Sequence, residues 1–204
     1  MHEKNYTFST FSNFASDGIC QSLIDINGGE TPIIIICIGS DLVLGDSLGP
    51  LVGTFLKSKD VNAYVYGTLN FPITAKEVEY ARTYLKKMHP NAISIAVDAA
   101  VGDTDDIGLI RVMNKGIKPG LGVDKNLGVV GDLGIVGIVA EKSLKNHVLF
   151  NLTRLNLVYK MAGAIADGIQ KYISYQTNVN ENKSYSFLIN EDKEKGSTTT
   201  IKYA

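Results

Sequence analysis

The chain has 204 residues, of which 45% are hydrophobic, and its 20 basic and 21 acidic side chains leave a formal charge of -1. This composition suffices for one sizeable buried core, and it lacks the basic stripe that nucleic acid or an anionic membrane would require. The longest strongly apolar run, IIIICI, is far shorter than the roughly 20 residues of a membrane helix. The polar N-terminus lacks the continuous apolar stretch of a signal peptide. Cys20 and Cys37 are too few for a disulfide framework, so we expect a reduced, cytoplasmic protein.

The first half of the chain alternates between strand and helix patterns. Residues 32–38 form an all-apolar, β-branched run that is typical of a central parallel strand. The segment SLGPLVGTFLKS has the apolar spacing of a helix, with Asp46 suited to its N-cap and Pro50 to its first turn. NAYVYGTL indicates a second strand, and Thr74–Lys87 an amphipathic helix capped by Thr74.

The second half continues this pattern. An apolar strand over Ile93–Val97 is followed by Asp98, where we expect the strand to end. GLIRVM and LGIVGIVA indicate two further strands, separated by a glycine-rich loop over residues 114–132. Phe150–Tyr172 has the spacing of a long amphipathic helix. We therefore predict a single α/β domain over residues 1–174 and a polar, mobile tail over 175–204, in which YSFLI could add an edge strand.

Alternating strands and helices favour a three-layer α/β sandwich with a mostly parallel sheet. Two of the predicted strands are followed by aspartates, Asp46 shortly after the first and Asp98 directly after the third. Sites form at the carboxyl ends of strands in such sheets. If the two strands are neighbours, Asp46 and Asp98 face each other across one crevice.

Each aspartate also has a purely structural interpretation. Asp46 suits a helix N-cap, Asp98 could close a turn, and Asp41 stands in a glycine-flanked bend. The argument for function is the joint position of Asp46 and Asp98. Two close carboxylates can share a proton, so that one activates water while the other donates to the leaving group. Two carboxylates farther apart could instead bind a metal that polarises water or a carbonyl group.

Two other chemistries find less support in the sequence. Ser47 stands in GDSLG, which is similar to a nucleophile elbow, yet no histidine has a natural place at a strand end. A zinc site would need a third ligand, commonly histidine, and His2, His89 and His147 all stand in surface-like contexts. We therefore predict no cofactor, with Asp46 and Asp98 as the ligands if a divalent metal binds.

The blocks CIGSDLVLGDSLGPLVG, GTLNFPITAKEVEY, AISIAVDAAVG and GIKPGLGVDKNLGVVGDLGIVGIVA, which fall within residues 33–140, resemble the YyaC-type sporulation proteins of spore-forming bacteria. More distantly, they are similar to the germination protease of spores and to the hydrogenase-maturation endopeptidases. The resemblance implies a phosphorylase/hydrolase-like (HybD-like) fold. It also implies peptide-bond hydrolysis, with the two aspartates of an atypical aspartic peptidase falling on Asp46 and Asp98.

In the hydrogenase-maturation enzymes, residues matching Asp46 and Asp98 bind a metal together with a histidine. The corresponding region here, VVGDLGI, offers Asp132 and no histidine, which favours the two-aspartate version. Asp41 and Asp132 remain as auxiliary carboxylates.

The glycine-rich loop, with Gly116, Pro119, Gly120 and Gly122, would lie along the substrate backbone. The expected substrate is a small spore protein or peptide in the cytoplasm of the forespore or mother cell. We expect no nucleic acid or membrane partner, and a homo-oligomer is left open. The alternatives are an inactive binding or scaffold protein of sporulation with the same fold, and a metal-dependent hydrolase.

Overall fold

The computed structural model describes residues 3–28, 32–119, 128–142 and 153–194, and side chains up to residue 179. The strands are β1 (Asn5–Ser9), β2 (Ile33–Cys37), β3 (Tyr64–Tyr66), β4 (Ile93–Gly102), β5 (Leu109–Met113) and β6 (Leu133–Glu141). The α-helices are α1 (Ala15–Asn27), α2 (Leu48–Ser58), α3 (Val78–Met88) and α4 (Leu155–Glu194). Two short 3-10 helices, Gly45–Ser47 and Thr104–Asp106, lie in the loops that follow β2 and β4.

The described strands form one mixed sheet of six strands in the order β1-β5-β6-β4-β2-β3. The pairs β3–β2, β2–β4 and β4–β6 are parallel, whereas β6–β5 and β5–β1 are antiparallel. This arrangement confirms the expected mostly parallel sheet. It also makes β2 and β4 direct neighbours, so the aspartates that follow or lie within them belong to one region of the sheet.

Helices cover both faces of the sheet, which confirms the three-layer architecture. Buried residues of α1, α2 and α4 pack on the face that carries Ile35 and Ile95. The opposite face carries Ile36 and Ala96 and is covered by α3 and by Ile73 and neighbouring loop residues, in a much smaller apolar cluster. Side chains alternate between the faces along a strand, so Asp98 shares the α3 face with Ala96. Asp98 therefore lies on the face of the sheet that is covered by the smaller apolar cluster.

The helix that follows β3 begins later than the sequence pattern predicted. Residues 74–77 form a turn, and α3 begins at Val78. The backbone N–H of Thr74 donates to Oε2 of Glu77 at 3.0 Å, and the Thr74 hydroxyl group accepts a hydrogen bond from the N–H of Lys76 at 3.3 Å. Thr74 therefore does stabilise the start of this segment, in the manner of a capping box, one turn before the α-helix itself.

The ends of the chain differ from the sequence-based expectation. β1 and α1 were not predicted. α4 continues to Glu194, so the YSFLI segment lies in a helix and not in an edge strand. The tail boundary at residue 174 falls inside this helix, and the tail's mobility stays a prediction. No helix among the described residues has the length and apolar character needed to cross a bilayer.

Candidate active site

Asp46 lies in the loop between β2 and α2, within the short 3-10 helix Gly45–Ser47. The loop closes on itself, because the N–H of Ser40 donates to the main-chain carbonyl oxygen of Asp46 at 3.1 Å. The expected N-cap role for Asp46 is not observed: Ser47 occupies the cap position of α2, and the cap has no side-chain hydrogen bond. Pro50 does lie in the first turn of α2, as predicted. The Asp46 carboxyl group is therefore left for a purpose other than capping.

Two glycines hold this loop against β2 by direct main-chain contact. Gly39 has φ +140°, and a Cβ atom built on it would lie 2.0 Å from the carbonyl oxygen of Asp46. A Cβ atom on Gly49 would lie 2.0 Å from the carbonyl oxygen of Ile38. Neither position has room for a side chain, so the glycines permit a close approach that larger residues would block. This contact fixes the 3-10 helix, and hence Asp46, relative to the end of β2.

Asp98 lies inside β4 and not at its end, which corrects the sequence-based expectation. The pairing of β2 with β4 ends at Cys37 and Val97, and the N–H of Ile38 donates to the Val97 carbonyl oxygen at 2.8 Å. β4 continues to Gly102 because it remains paired with β6, where Asp98 lies opposite Val136. Asp98 is therefore the first residue of β4 beyond the end of β2. Sequence propensity suggested a strand end because aspartate is rare in strands.

Burial raises the pKa of both carboxyl groups. The Asp98 side chain is 9% exposed, and its Oδ1 accepts the N–H of Ala99 at 2.8 Å. Burial raises the pKa of Asp98 well above its ordinary value, and the charge of Asp46 raises it further, while the Ala99 hydrogen bond opposes the shift. Burial also raises the pKa of Asp46, against a smaller opposing effect of the Ser40 backbone. The two groups are thus close enough to interact electrostatically at the carboxyl end of β2.

Such a pair is suited to general acid–base chemistry. Repulsion between two carboxylates favours a state in which one carries a proton and the other is ionised. Asp98 is the more buried of the two groups and is therefore the better suited to hold the proton. The ionised partner can then accept a proton from water while Asp98 donates one.

The two auxiliary carboxylates lie in different places. Asp41 is exposed in the loop that carries Asp46. Asp132 immediately precedes β6, and its Oδ2 accepts hydrogen bonds from Ser94 N–H at 2.9 Å and Ser94 Oγ at 2.7 Å. Ser94 is four residues before Asp98 on β4, which corresponds to about 13 Å along a strand. Asp132 therefore stabilises the amino end of β4 and is not brought together with Asp46 and Asp98.

The predicted substrate loop is described only at its base. Gly116 and Pro119 lie there, Pro119 is buried, and the two arms are joined by reciprocal main-chain hydrogen bonds between Ile117 and Val130 at 2.9 and 2.8 Å. A Cβ atom on Gly116 would lie 2.2 Å from the carbonyl oxygen of the opposite arm. Gly116 therefore allows the arms to meet. Gly120 and Gly122 lie outside the described residues, and contact of this loop with a substrate stays a prediction.

Ser47 has the environment of a structural residue. It is 6% exposed, and its hydroxyl group donates to the carbonyl oxygen of Leu44 at 2.7 Å. His89, at the end of α3, packs against the ring of Tyr64 on β3. Its Nε2 atom lies 2.8 Å from the hydroxyl group of Tyr66 on the same strand. His2 and His147 lie outside the described residues. Among the described residues, Ser47 thus has no histidine partner at the carboxyl end of β2.

A metal site would need a third ligand beside the two aspartates. Within the described ranges, no group of three His, Cys, Asp or Glu side chains is arranged to hold a metal ion. The described residues therefore do not form the three-ligand metal site that the resemblance implied.

Sequence reasoning did not single out two residues of the loops that follow β2 and β3, Leu42 and Phe71. They are the most exposed large hydrophobic side chains among the described residues, at 87% and 81%. The sequence does contain a signal for them. Each is a bulky apolar residue among turn-forming residues, in SDL and LNFP, and neither the helix nor the strand period accounts for its position.

Comparison with known structures defines the class of fold. The chain is similar to the NiFe hydrogenase maturation protease HycI of Thermococcus kodakarensis KOD1, with a TM-score of 0.51 and 20% identity over 75% of this chain and 99% of that one. The fold is therefore that of the hydrogenase maturation proteases.

The family follows from sequence comparison. The family model described as "Protein of unknown function (DUF1256)" matches residues 2–168, and the chain belongs to this family. It is also 42% identical over 139 residues to the uncharacterized protein YyaC of Bacillus subtilis (strain 168), covering 68% of each chain. The resemblance to YyaC-type proteins and to hydrogenase-maturation endopeptidases is thereby confirmed.

Proposed function

We propose that the protein is an endopeptidase in which Asp46 and Asp98 activate water for hydrolysis of a peptide bond. The observation that carries this proposal is that the 3-10 helix carrying Asp46 lies in contact with β4, which carries the buried Asp98 just beyond the end of β2. A buried pair of carboxyl groups weakens the fold when both are ionised, and neither group is used as a helix cap. A chemical role accounts for retaining both.

The two groups divide the proton transfers between them. Asp46, the more exposed and ionised group, takes a proton from water as the water oxygen bonds to the carbonyl carbon. Asp98 gives its proton to the carbonyl oxygen in the same step. The C–N bond then breaks as the nitrogen takes the proton from Asp46, and a hydroxyl group of the intermediate returns a proton to Asp98.

The resemblance to sporulation proteins supports a small spore protein as the substrate, in the cytoplasm of the forespore or mother cell. The fold shared with a maturation protease supports proteolysis as the reaction. A binding protein of the same fold would have no need of a shared proton between Asp46 and Asp98.

Cleavage of a small acid-soluble spore protein and of a spore extract, read by mass spectrometry, tests this proposal. Asp46→Asn and Asp98→Asn should each abolish discrete cleavage while remaining folded. Asp105→Asn is the matched control, because Asp105 is an exposed carboxylate in the loop that follows β4. A parallel incubation with EDTA separates two-carboxylate from metal-dependent chemistry, since the former persists. If the wild-type protein shows no cleavage across a pH range, with and without divalent metals, the scaffold alternative is favoured.

A further inference from the structure

The two most exposed large apolar side chains of the described structure, Leu42 and Phe71, lie on the two loops at the carboxyl end of β2. Single exposed apolar residues are common on protein surfaces. The position of these two is notable because both loops reach the end of β2. Leu42 precedes Asp46 by four residues, and Phe71 precedes Ile73, which bridges to Ile38, by two.

The two loops are joined at the strand end. Ile38 and Ile73 form a parallel β-bridge, and the N–H of Gly39 donates to the Ile73 carbonyl oxygen at 3.0 Å. Ile73 is buried in the same apolar cluster as Ala96, and Asp98 follows Ala96 on that face of β4. The loop that carries Phe71 therefore crosses the end of β2 onto the face of the sheet that carries Asp98.

The turn that presents Phe71 is held in place before any ligand binds. Main-chain hydrogen bonds of 3.1 and 3.2 Å run in both directions between Thr68 and Phe71. The N–H of Leu69 donates to Oγ1 of Thr54 on α2 at 3.0 Å. A rigid turn orders no further main chain on binding, so an apolar contact made by Phe71 loses little to ordering entropy.

The charges of the two loops restrict the ligand. Residues 38–47 and 67–74 contain the carboxylates of Asp41 and Asp46 and no lysine or arginine. An acidic segment brought to these loops would meet the like charge of these two carboxylates, whereas a neutral or basic segment would not.

We propose that Leu42 and Phe71 form an apolar subsite that selects peptide substrates with a large apolar side chain, and no acidic one, beside the bond to be cleaved. This inference rests on the proposed peptidase function. In it, the substrate side chain packs against Leu42 and Phe71 while the adjacent peptide bond reaches Asp46 and Asp98. These two residues determine specificity and take no part in proton transfer.

A peptide library made from a digested proteome measures the preference directly, with cleavage sites read by mass spectrometry. Wild-type protein should cut beside Leu, Phe, Ile or Met and avoid Asp and Glu. Leu42→Ser and Phe71→Ser should each lower kcat/KM for a peptide with a Leu-Phe centre by at least about tenfold, since even one methylene group in an apolar pocket has an effect of this size. Met88→Ser is the matched control, an exposed apolar residue at the end of α3, near the amino end of β4.

A binding measurement on the same proteins separates failure of this inference from failure of the peptidase proposal. Two fluorescein-labelled 12-residue peptides, with Leu-Phe or Asp-Asp centres in an Ala-Gly-Lys background, are titrated by anisotropy. Cleavage that shows no apolar preference, or a preference unchanged in Leu42→Ser and Phe71→Ser, would overturn the subsite and leave the peptidase standing. Selective binding of the Leu-Phe peptide without cleavage, lost in both variants, would retain the subsite and reject the peptidase. If the protein shows neither cleavage nor selective binding, both the subsite and the peptidase proposals are rejected.

Discussion

The Asp98 carboxyl group is buried on β4 one residue beyond the end of β2, and the charge of Asp46 raises its pKa. This relationship ties the stability of the protein to the ionisation of its candidate catalytic groups. The stabilising contribution of an acid with a raised folded-state pKa is fully present below its ordinary pKa and is lost as the pH rises from there through the raised value. At neutral pH the pair therefore opposes folding.

Asp98→Asn is expected to raise the free energy of unfolding at neutral pH by about 0.5–2 kcal/mol, as is common for changes that relieve strain at a functional site. The asparagine side chain keeps an oxygen that can accept the Ala99 N–H, and it stays neutral in the buried site without taking up a proton. The wild-type contribution is fully present below the ordinary pKa of 3.8 and is lost as the pH rises through the raised folded-state pKa. The variant's advantage should therefore vanish below about pH 4.

Urea titrations at several pH values measure this difference. A variant that is less stable than wild type at neutral pH would show that Asp98 has a structural role instead.

The pH dependence of activity should be bell-shaped, with its maximum above the pH range of ordinary carboxyl groups. At low pH both groups are protonated and no base remains, whereas at high pH the shared proton is lost. The raised pKa values of Asp46 and Asp98 shift both limbs upward. Initial rates of peptide cleavage from acidic to alkaline pH, at constant ionic strength, give the two apparent pKa values. A rate that rises steadily to alkaline pH would contradict carboxyl-group catalysis.

Asp132→Ala should lower stability by about 1 kcal/mol, because it removes the acceptor of two hydrogen bonds from Ser94. The same variant should keep its rate of cleavage, since Asp132 lies at the amino end of β4. Thermal denaturation and the cleavage assay are measured on one preparation. Asp105→Ala, at an exposed position, should change neither quantity. Loss of activity in a fully folded Asp132→Ala protein would show that Asp132 contributes to catalysis.

Gly49→Ala should destabilise the protein by about 1–3 kcal/mol and reduce activity, because its new methyl group would collide with the Ile38 carbonyl oxygen. Relief of this collision moves the start of α2 away from β2, and Asp46 moves with it.

Gly163→Ala is the matched control. Gly163 lies within α4, and a Cβ atom added to it would have no neighbouring atom within 4 Å. Alanine there should therefore increase stability by about 0.5–1 kcal/mol through its better helix propensity. Equal effects of the two substitutions would contradict the close contact at Gly49.

Local sequence patterns were sufficient for the parallel half of the fold. The apolar run of β2 and the amphipathic spacing of α2 depend on neighbouring residues, and the two aspartates could be assigned to one edge of the sheet from the strand–helix alternation. β1 depends on a distant partner, since Asn5 pairs with Met113. The buried face of α1 includes Ser22, which weakens its hydrophobic period.

Two errors at the site have physical causes that local patterns do not contain. β4 passes through Asp98 because pairing with β6 continues there after β2 has ended. Asp132 was grouped with the site by its family position, although a residue directly before a parallel strand lies at the amino edge of the sheet. Strand direction, and not residue type, decides which carboxylates meet.

The main-chain contact of Gly39 and Gly49 with neighbouring carbonyl oxygens separates the framework of the protein from its variable parts. Backbone atoms alone set the spacing between the loop and β2, so the tips at Leu42 and Phe71 can be exchanged without moving Asp46. The scaffold is therefore suited to loop grafting, in which new residues at 41–43 and 69–71 change the exposed surface at the end of β2 while the carboxyl pair stays in place.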